Sequence, residues 1–416
     1  MRNFLTTLLF LSLLIDGYFL IEFDNFPNSF IYLIPLFIII LLNKTNKYSI
    51  NWSKSTIYFI LFFATIFLSL IIHDLKNISG INLSRNLIST VSLLFWPLFF
   101  IFFSARRITT EKIKLQFKLI NTIGYIIAAN CILPVLLFYT TGYNLGELII
   151  ADNKIRSFGY LSDQVGFATV YFLINAIFRR RNIDIVIFSL AIIVTGTRGA
   201  IIMAIAASMI TLYYRTNGVT LNIKHWFSVL AIGIFLICTN FFNLLTNTVY
   251  LRLDDQSMGA SSDQRLGAMN MGITLFLENP ITGVGYGHFF ESVQSNPKFF
   301  KIKSDFSSQE FARGFSNAQN QLFEILANGG IIALFVVVCF LYLCIKQIRL
   351  KIINKILVPE LKIALIFIFS MLIFNQTAIY LFNYGISSFM MLLLLSIGNS
   401  NIITKSELPI YNIISS

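Results

Sequence analysis

Four of the chain's arginines and a few polar side chains sit where a charged substrate could meet them. Arg198 lies in Thr195-Gly196-Thr197-Arg198-Gly199-Ala200, a tight turn between two apolar segments. Arginine is charged at every physiological pH, and its planar fork binds phosphate at two points. An arginine held by glycines at a membrane edge therefore suits the pyrophosphate of a lipid carrier. Taken alone, the residue also fits an interfacial arginine that simply snorkels to water.

A second arginine opens an amphipathic stretch. Ser261-Ser262-Asp263-Gln264-Arg265 is followed by Leu266, Met269, Ile273, Leu275 and Phe276 and is stopped by Asn279-Pro280. The pattern predicts a helix capped by Ser262 or Asp263, with Arg265 in its exposed first turn, where free backbone N–H groups already favour anions. The bland alternative is a solvated surface arginine.

Gly283-Val284-Gly285-Tyr286-Gly287-His288-Phe289 comes next. It has some likeness to a nucleotide-binding glycine fingerprint, but it follows a helix stop rather than a strand and lacks the spacing. It reads as a turn that brings His288 and Phe289 back toward the membrane. The stretch from Arg313 through Gln319, Asn320 and Glu324 to Gly329-Gly330 then enters an apolar segment. Asn320 and Glu324, four apart, share one helix face, so amide and carboxylate are expected to look into one cavity. A carboxylate one turn inside a span is costly unless paired, which makes Glu324 a candidate catalytic group by default; the competing reading pairs it with Arg313 or another external arginine.

These residues need a frame, and composition says which kind. Hydrophobic residues make up 56% of the 416 and charged residues only 12%, against about a quarter charged in soluble domains. The apolar residues come in blocks that read as spans near 3–21, 29–42, 55–72, 86–104, 117–138, 165–178, 183–196, 199–214, 225–245, 322–345, 361–380 and 384–398. The expected fold is an all-α polytopic membrane protein of about twelve transmembrane helices, with a large, partly helical external loop between helices nine and ten. Residues 1–245 would hold nine spans, 246–321 the loop, 322–398 three spans and 399–416 a cytoplasmic tail. The first apolar segment lacks a small-x-small cleavage site and is expected to stay as a signal anchor.

Charge sets the orientation. With the amino end inside, the cytoplasmic connections collect Lys44, Lys47, Lys54, Arg106, Arg107, Arg179, Arg180, Arg181, Lys346, Arg349, Lys351 and Lys355 among others, against Glu111, Asp184, Glu360 and Glu407. The positive-inside rule then puts both termini in the cytoplasm and the loop outside. That topology accounts for the net charge of +12, and no basic stripe interleaved with aromatics points to nucleic acid. Cys131, Cys238, Cys339 and Cys344 all lie in apolar segments as packing residues, none at metal spacing with a histidine.

Taken in order, these pieces resemble the O-antigen ligase and polymerase superfamily of bacterial envelope polysaccharide assembly. The likeness rests on span count, topology and the late large loop. It also rests on the Arg198 turn, on Arg265 with the Asn-Pro and Gly-x-Gly-x-Gly elements after it, and on Gln319-Asn320 before Gly329-Gly330. Arg156-Ser157-Phe158-Gly159, in the polar segment 139–164, is similar to the family's external Arg-x-x-Gly stretch. The resemblance implies a polymerase that transfers glycan from undecaprenyl pyrophosphate to a lipid-linked repeat unit at the periplasmic face of the inner membrane, without metal or cofactor. It implies Arg198, Arg265, Arg313 and Arg156 as diphosphate ligands, and a flippase and a chain-length regulator as partners. The ligases carry His-Asn where this chain has Gln319-Asn320, and glutamine takes no proton at neutral pH. The catalytic candidates are accordingly Glu324, His288, Gln319 and Asn320. The substitution favours a polymerase over the ligase that moves finished glycan onto lipid A–core. A transporter is the third reading, disfavoured because Asp16 is the only acid well inside a span and no halves match.

Overall fold

The computed structural model describes residues 53–76, 97, 100, 101, 104, 107–143, 147–151, 154–159, 165–215, 255–286, 288–296, 318, 320–374 and 386–403. In chain order these form α1 (Lys54–Lys76), β1 (Arg107–Thr109), α2 (Thr110–Thr141), β2 (Glu147–Ala151), β3 (Lys154–Gly159), α3 (Val165–Arg179), α4 (Asn182–Val194) and α5 (Arg198–Arg215). There follow α6 (Asp255–Glu278), α7 (Phe289–Ser295), α8 (Gln321–Ile353), α9 (Val358–Phe374), α10 (Ile386–Asn399) and β4 (Asn401–Ile403).

Local sequence explains where the helices stop. Gly142 ends α2 in the left-handed region at φ 72°, and its N–H bonds Phe138 O at 2.9 Å, the glycine stop that relieves an orphan carbonyl. Gly196, at φ 61°, turns α4 into α5. Asn279-Pro280 follows directly on α6 because proline has no N–H to continue the ladder.

Helices α1, α2 and α8 contain apolar stretches long enough to cross a bilayer: Lys54–Ile72, Ile113–Thr141 and Gln321–Ile353. Their outward faces carry Leu68, Leu136, Phe335 and Val338, all more than half exposed, a surface that only lipid would cover at low cost. The expected spans at 55–72, 117–138, 165–178, 183–196, 199–214, 322–345, 361–380 and 384–398 fall on α1, α2, α3, α4, α5, α8, α9 and α10. Those at 3–21, 29–42 and 225–245, and nearly all of 86–104, lie outside the described residues, as does Cys238.

The frame is helical, joined by two small strand pairs that the all-α expectation did not include. In the segment read as a polar external stretch, β2 and β3 form an antiparallel hairpin that sets Ile149 opposite Arg156 and Ile150 opposite Ile155. β1 and β4 pair in parallel, Ile108 opposite Ile402. Short runs of β-branched residues beside turn formers suit this geometry.

The main core is aromatic. Phe59, Phe100 and Phe340 are fully buried, with ring centroids 4.5 to 5.1 Å apart, close enough for edge and tilted ring contacts. They fasten α1 to α8, which run antiparallel.

The helices give the molecule two distinct ends. At the first, Ser55 donates to Asn399 Oδ1 at 2.5 Å, Asn399 Nδ2 donates to Ser53 Oγ at 2.8 Å, and Lys351 Nζ donates to Gly398 O at 2.5 Å. The β1–β4 pair lies at the same end. So does the 2.9 Å ion pair between Arg179, closing α3, and Glu360, opening α9, and the bond from Arg215, closing α5, to Ile177 O. Lys351, Arg179, Glu360 and Arg215 come from segments that the positive-inside reading assigned to one side, and Ser55, Ile177 and Gly398 lie at the adjoining ends of expected spans. Tracing each helix away from it brings the starts of α3, α5 and α8 and the second half of α1 to the other end. The 14 residues from Ser55 to Ser69 span about 21 Å.

Candidate active site

The second end is built around the first three turns of α8. Asn320 is the N-cap: its Oδ1 accepts from Leu322 N at 2.9 Å and Phe323 N at 3.3 Å, satisfying two of the N–H donors a helix start leaves orphaned. The side-chain oxygen of Asn320 is thus engaged in capping the helix. Glu324 takes the backbone N–H of Ala318 on Oε2 at 2.8 Å and the side-chain amide of Asn328 on Oε1 at 2.6 Å. Among the described residues its partners are neutral donors. Two such bonds let a carboxylate persist away from water while leaving lone pairs on both oxygens.

Nearly two turns beyond Glu324 the helix breaks. Gly330 adopts φ 67°, ψ −165°, a region open to glycine and very few others. The break frees the carbonyls of Ala327 and Asn328 from the helical ladder, and other elements claim them. Val284 N–H bonds Ala327 O at 2.7 Å and Gly285 N–H bonds Asn328 O at 3.1 Å. Ser69, from α1, donates its hydroxyl to Asn328 O at 2.8 Å and also contacts Thr282 O. On the far side of the break, Ile331 N–H bonds Pro280 O at 2.9 Å. The Gly-x-Gly-x-Gly segment is therefore a docking turn for a broken helix. Gly283, at φ 67°, meets the backbone of Ala327 to Gly329 so closely that a side chain there would overlap it.

Behind this turn lies a second, small core. Ala268, Met271 and Leu275 of α6, Val284, Phe289 and Val293 of α7, and Ala318 and Ala327 are buried together. Gly272 faces Ala318 and Phe323. Asn296 ties the end of α7 to Glu278 at the end of α6, 3.0 Å from each carboxylate oxygen. Phe289, just past the turn, is buried in this core. His288 stands just before α7, its Nδ1 3.2 Å from Glu291 Oε2. Tyr286 lies near enough to Glu324 to feel its charge. That charge, added to the larger effect of burial, pushes its phenol up to about 12, so it remains a neutral hydroxyl.

The arginines reach this end by several routes. Arg198 is the first residue of α5, directly after the Thr195–Thr197 turn. Thr195 Oγ1 bonds Ile192 O at 2.7 Å. The turn packs on the start of α3 so tightly that a Cβ on Gly166 would stand 2.9 Å from Thr195 Oγ1 and 3.0 Å from Ala200 Cβ. Arg156 is carried by β3, within the hairpin that links α2 to the start of α3. Arg265 is carried by α6, seven residues before Gly272. The backbone thus brings Arg156, Arg198 and the α6 segment to the end that holds Glu324. The side chains of these three arginines, together with Arg313 and Gln319, lie outside the described residues.

One expectation is corrected. α6 begins at Asp255, so Ser262 and Asp263 lie within the helix and Arg265 sits in its third turn. Gln256, Met258 and Ala260 are good helix formers, and they extend the helix past the point where Ser-Ser-Asp resembled a cap. The N-terminal anion argument does not apply to Arg265. Asn328, Ser69, the Ala318 N–H and Tyr286 were not singled out from sequence. Asn328 lies four residues from Glu324, the spacing used for Asn320, whereas nothing local marks Ser69.

A comparison with curated proteins finds no match to this chain. A family model described as O-antigen ligase does match residues 185–338, from early α4 through the Arg198 turn, α6, the glycine turn and the broken half of α8. The matched stretch, 154 of the 416 residues, includes the Arg198 turn, α6, the glycine turn and Glu324, and over it the chain is similar to that family.

Proposed function

We propose that this protein is a polysaccharide polymerase of the bacterial inner membrane. It transfers glycan from undecaprenyl pyrophosphate to a lipid-linked repeat unit at the periplasmic face. The observation that carries the reading is the gathering of the Arg156 hairpin, the Arg198 turn and the Arg265 helix at the end where Glu324 is held by two donors. The family match over residues 185–338 supports the same reaction class.

In this reading a hydroxyl of the acceptor sugar attacks the anomeric carbon of the donor glycan. The bond from that carbon to the diphosphate oxygen breaks, and the electron pair leaves with the carrier diphosphate. Arg198, Arg265, Arg156 and Arg313 bind the diphosphate and stabilise charge as it grows on the leaving oxygen. Glu324 accepts the hydroxyl proton. His288 is the alternative acceptor, and Gln319 and Asn320 order the start of α8. The positive-inside distribution puts the Lys351–Asn399 end in the cytoplasm and the Glu324 end outside. A flippase supplies the lipid-linked units, and a chain-length regulator sets how far polymerisation runs.

The description of the matching family favours a second reading, an O-antigen ligase that moves the glycan onto lipid A–core. A deletion strain separates the two: loss of a polymerase leaves lipid A–core capped by one repeat unit, and loss of a ligase leaves it uncapped. A transporter would carry lipid-linked glycan without lengthening it. Product formation by purified protein from lipid-linked units, with no gradient present, excludes that class; failure to form product under those conditions counts against the polymerase.

A further inference from the structure

We propose that Asn328 is a positioning residue that holds the Glu324 carboxylate in its reactive orientation, and that Ser69 of α1 holds Asn328. The inference rests on the reading of Glu324 as the proton acceptor and adds the mechanism that fixes it.

An amide bonded to a carboxylate four residues away is common on helix surfaces, where it contributes little. Asn328 is different because it is 3% exposed and because its backbone is held from outside its own helix. The Gly330 break deprives Asn328 O of a helical donor. Gly285 N–H and the Ser69 hydroxyl replace that donor from two separate elements. With its main chain fixed between α1 and the glycine turn, Asn328 has one short side chain with which to reach Glu324, and it does so at 2.6 Å. The carboxylate also sets the amide's orientation: only the NH2 end can face Glu324, so Oδ1 points away and has no hydrogen-bond partner among the described residues.

The Ala318 N–H supplies the second bond. Ala318 lies before the helix cap, while Asn328 lies at the break, so Glu324 is gripped from both ends of the short helical piece between them. A backbone held in a glycine-only conformation less than two turns past a candidate catalytic group is strain that persists because its surroundings over-determine it.

The test uses the full-length protein in detergent or nanodiscs with purified lipid-linked repeat units, comparing Asn328→Ala, Asn328→Ser, Ser69→Ala and Glu324→Gln. Asn328→Ala is expected to lower kcat by about 10- to 100-fold, the effect of a misplaced reacting group, with KM for the lipid-linked donor changed less than twofold. Asn328→Ser, which keeps a donor, is expected to recover part of the loss. Ser69→Ala, a benign change within α1, is expected to lower kcat several-fold, again at constant KM, and it decides the matter if Asn328→Ala does not fold. Asn328→Ala and Ser69→Ala both within twofold of wild type, with Glu324→Gln inactive, would overturn the inference and leave the reading of Glu324 standing. Parallel loss of kcat, donor binding and melting temperature in both variants would also overturn it, in favour of a purely structural role. A fully active Glu324→Gln would instead remove the proton-acceptor reading beneath it.

Discussion

Ser55, in the first turn of α1, donates to Asn399 at the end of α10 at 2.5 Å, across 344 residues of sequence. The contact fixes which helix ends lie together, and a prediction about sidedness follows from it. In a background without native cysteines, Lys355→Cys lies at the Ser55–Asn399 end and Tyr143→Cys at the opposite end. In cells with a permeabilised outer membrane, an impermeant maleimide should label Tyr143→Cys at once and Lys355→Cys only after lysis. The reverse pattern would invert the proposed orientation and put Glu324 in the cytosol.

Arg198→Ala is expected to reduce polymer formation by about 100-fold or more, as loss of a charge-stabilising donor does. Arg198→Lys should recover only a small part of this, because a point charge does not reproduce the two-point fork. Band ladders from cells with matched protein levels provide the measurement. Full-length polymer in Arg198→Ala cells would remove the diphosphate role from the α4–α5 turn.

Glu324→Gln keeps the shape and the acceptor end of the side chain but not the proton-accepting oxygen. The expected outcome is a large fall in kcat with donor affinity retained. His288→Gln, which alters a residue before α7 that faces Glu291, is expected to have a smaller effect. Equal and complete loss in His288→Gln with an active Glu324→Gln would transfer the acceptor role to the histidine.

Gly330→Ala should lower thermal stability more than any surface change. A non-glycine residue at φ 67° costs about 1 to 3 kcal/mol, and the added Cβ would overlap the backbone of Ile281 and Thr282. Asn320→Ala, which removes the α8 cap, is expected to cost about 1 kcal/mol. Thermal unfolding of detergent-purified variants should rank Gly330→Ala below Asn320→Ala, and both below wild type.

Three spans were legible because lipid imposes one strong requirement, a long apolar run, and α1, α2 and α8 meet it openly. Arg179, Glu360, Lys351 and Asn399, distant in sequence, meet at one end of the fold, as segments expected on a common side should. Short strand pairs escaped notice because strands of three to six residues, with one or two β-branched residues each, give no periodic signal long enough to read. The site was half legible. Glu324 stood out as a carboxylate inside an apolar run, but its surroundings depend on a helix break whose freed carbonyls recruit Ser69 from the far end of the chain. The cap assigned to Ser262 or Asp263 failed because helix formers upstream carried α6 through it, a competition that single-residue cap preferences do not weigh.

The parallel pairing of Arg107–Thr109 with Asn401–Ile403 has a consequence for biogenesis. The early strand emerges from the ribosome long before its partner is made, so its edge waits open while the intervening helices insert. Only a chain translated past residue 400 can fasten that seam. Truncated products would present a bare strand edge to quality-control proteases on the side where the seam should close.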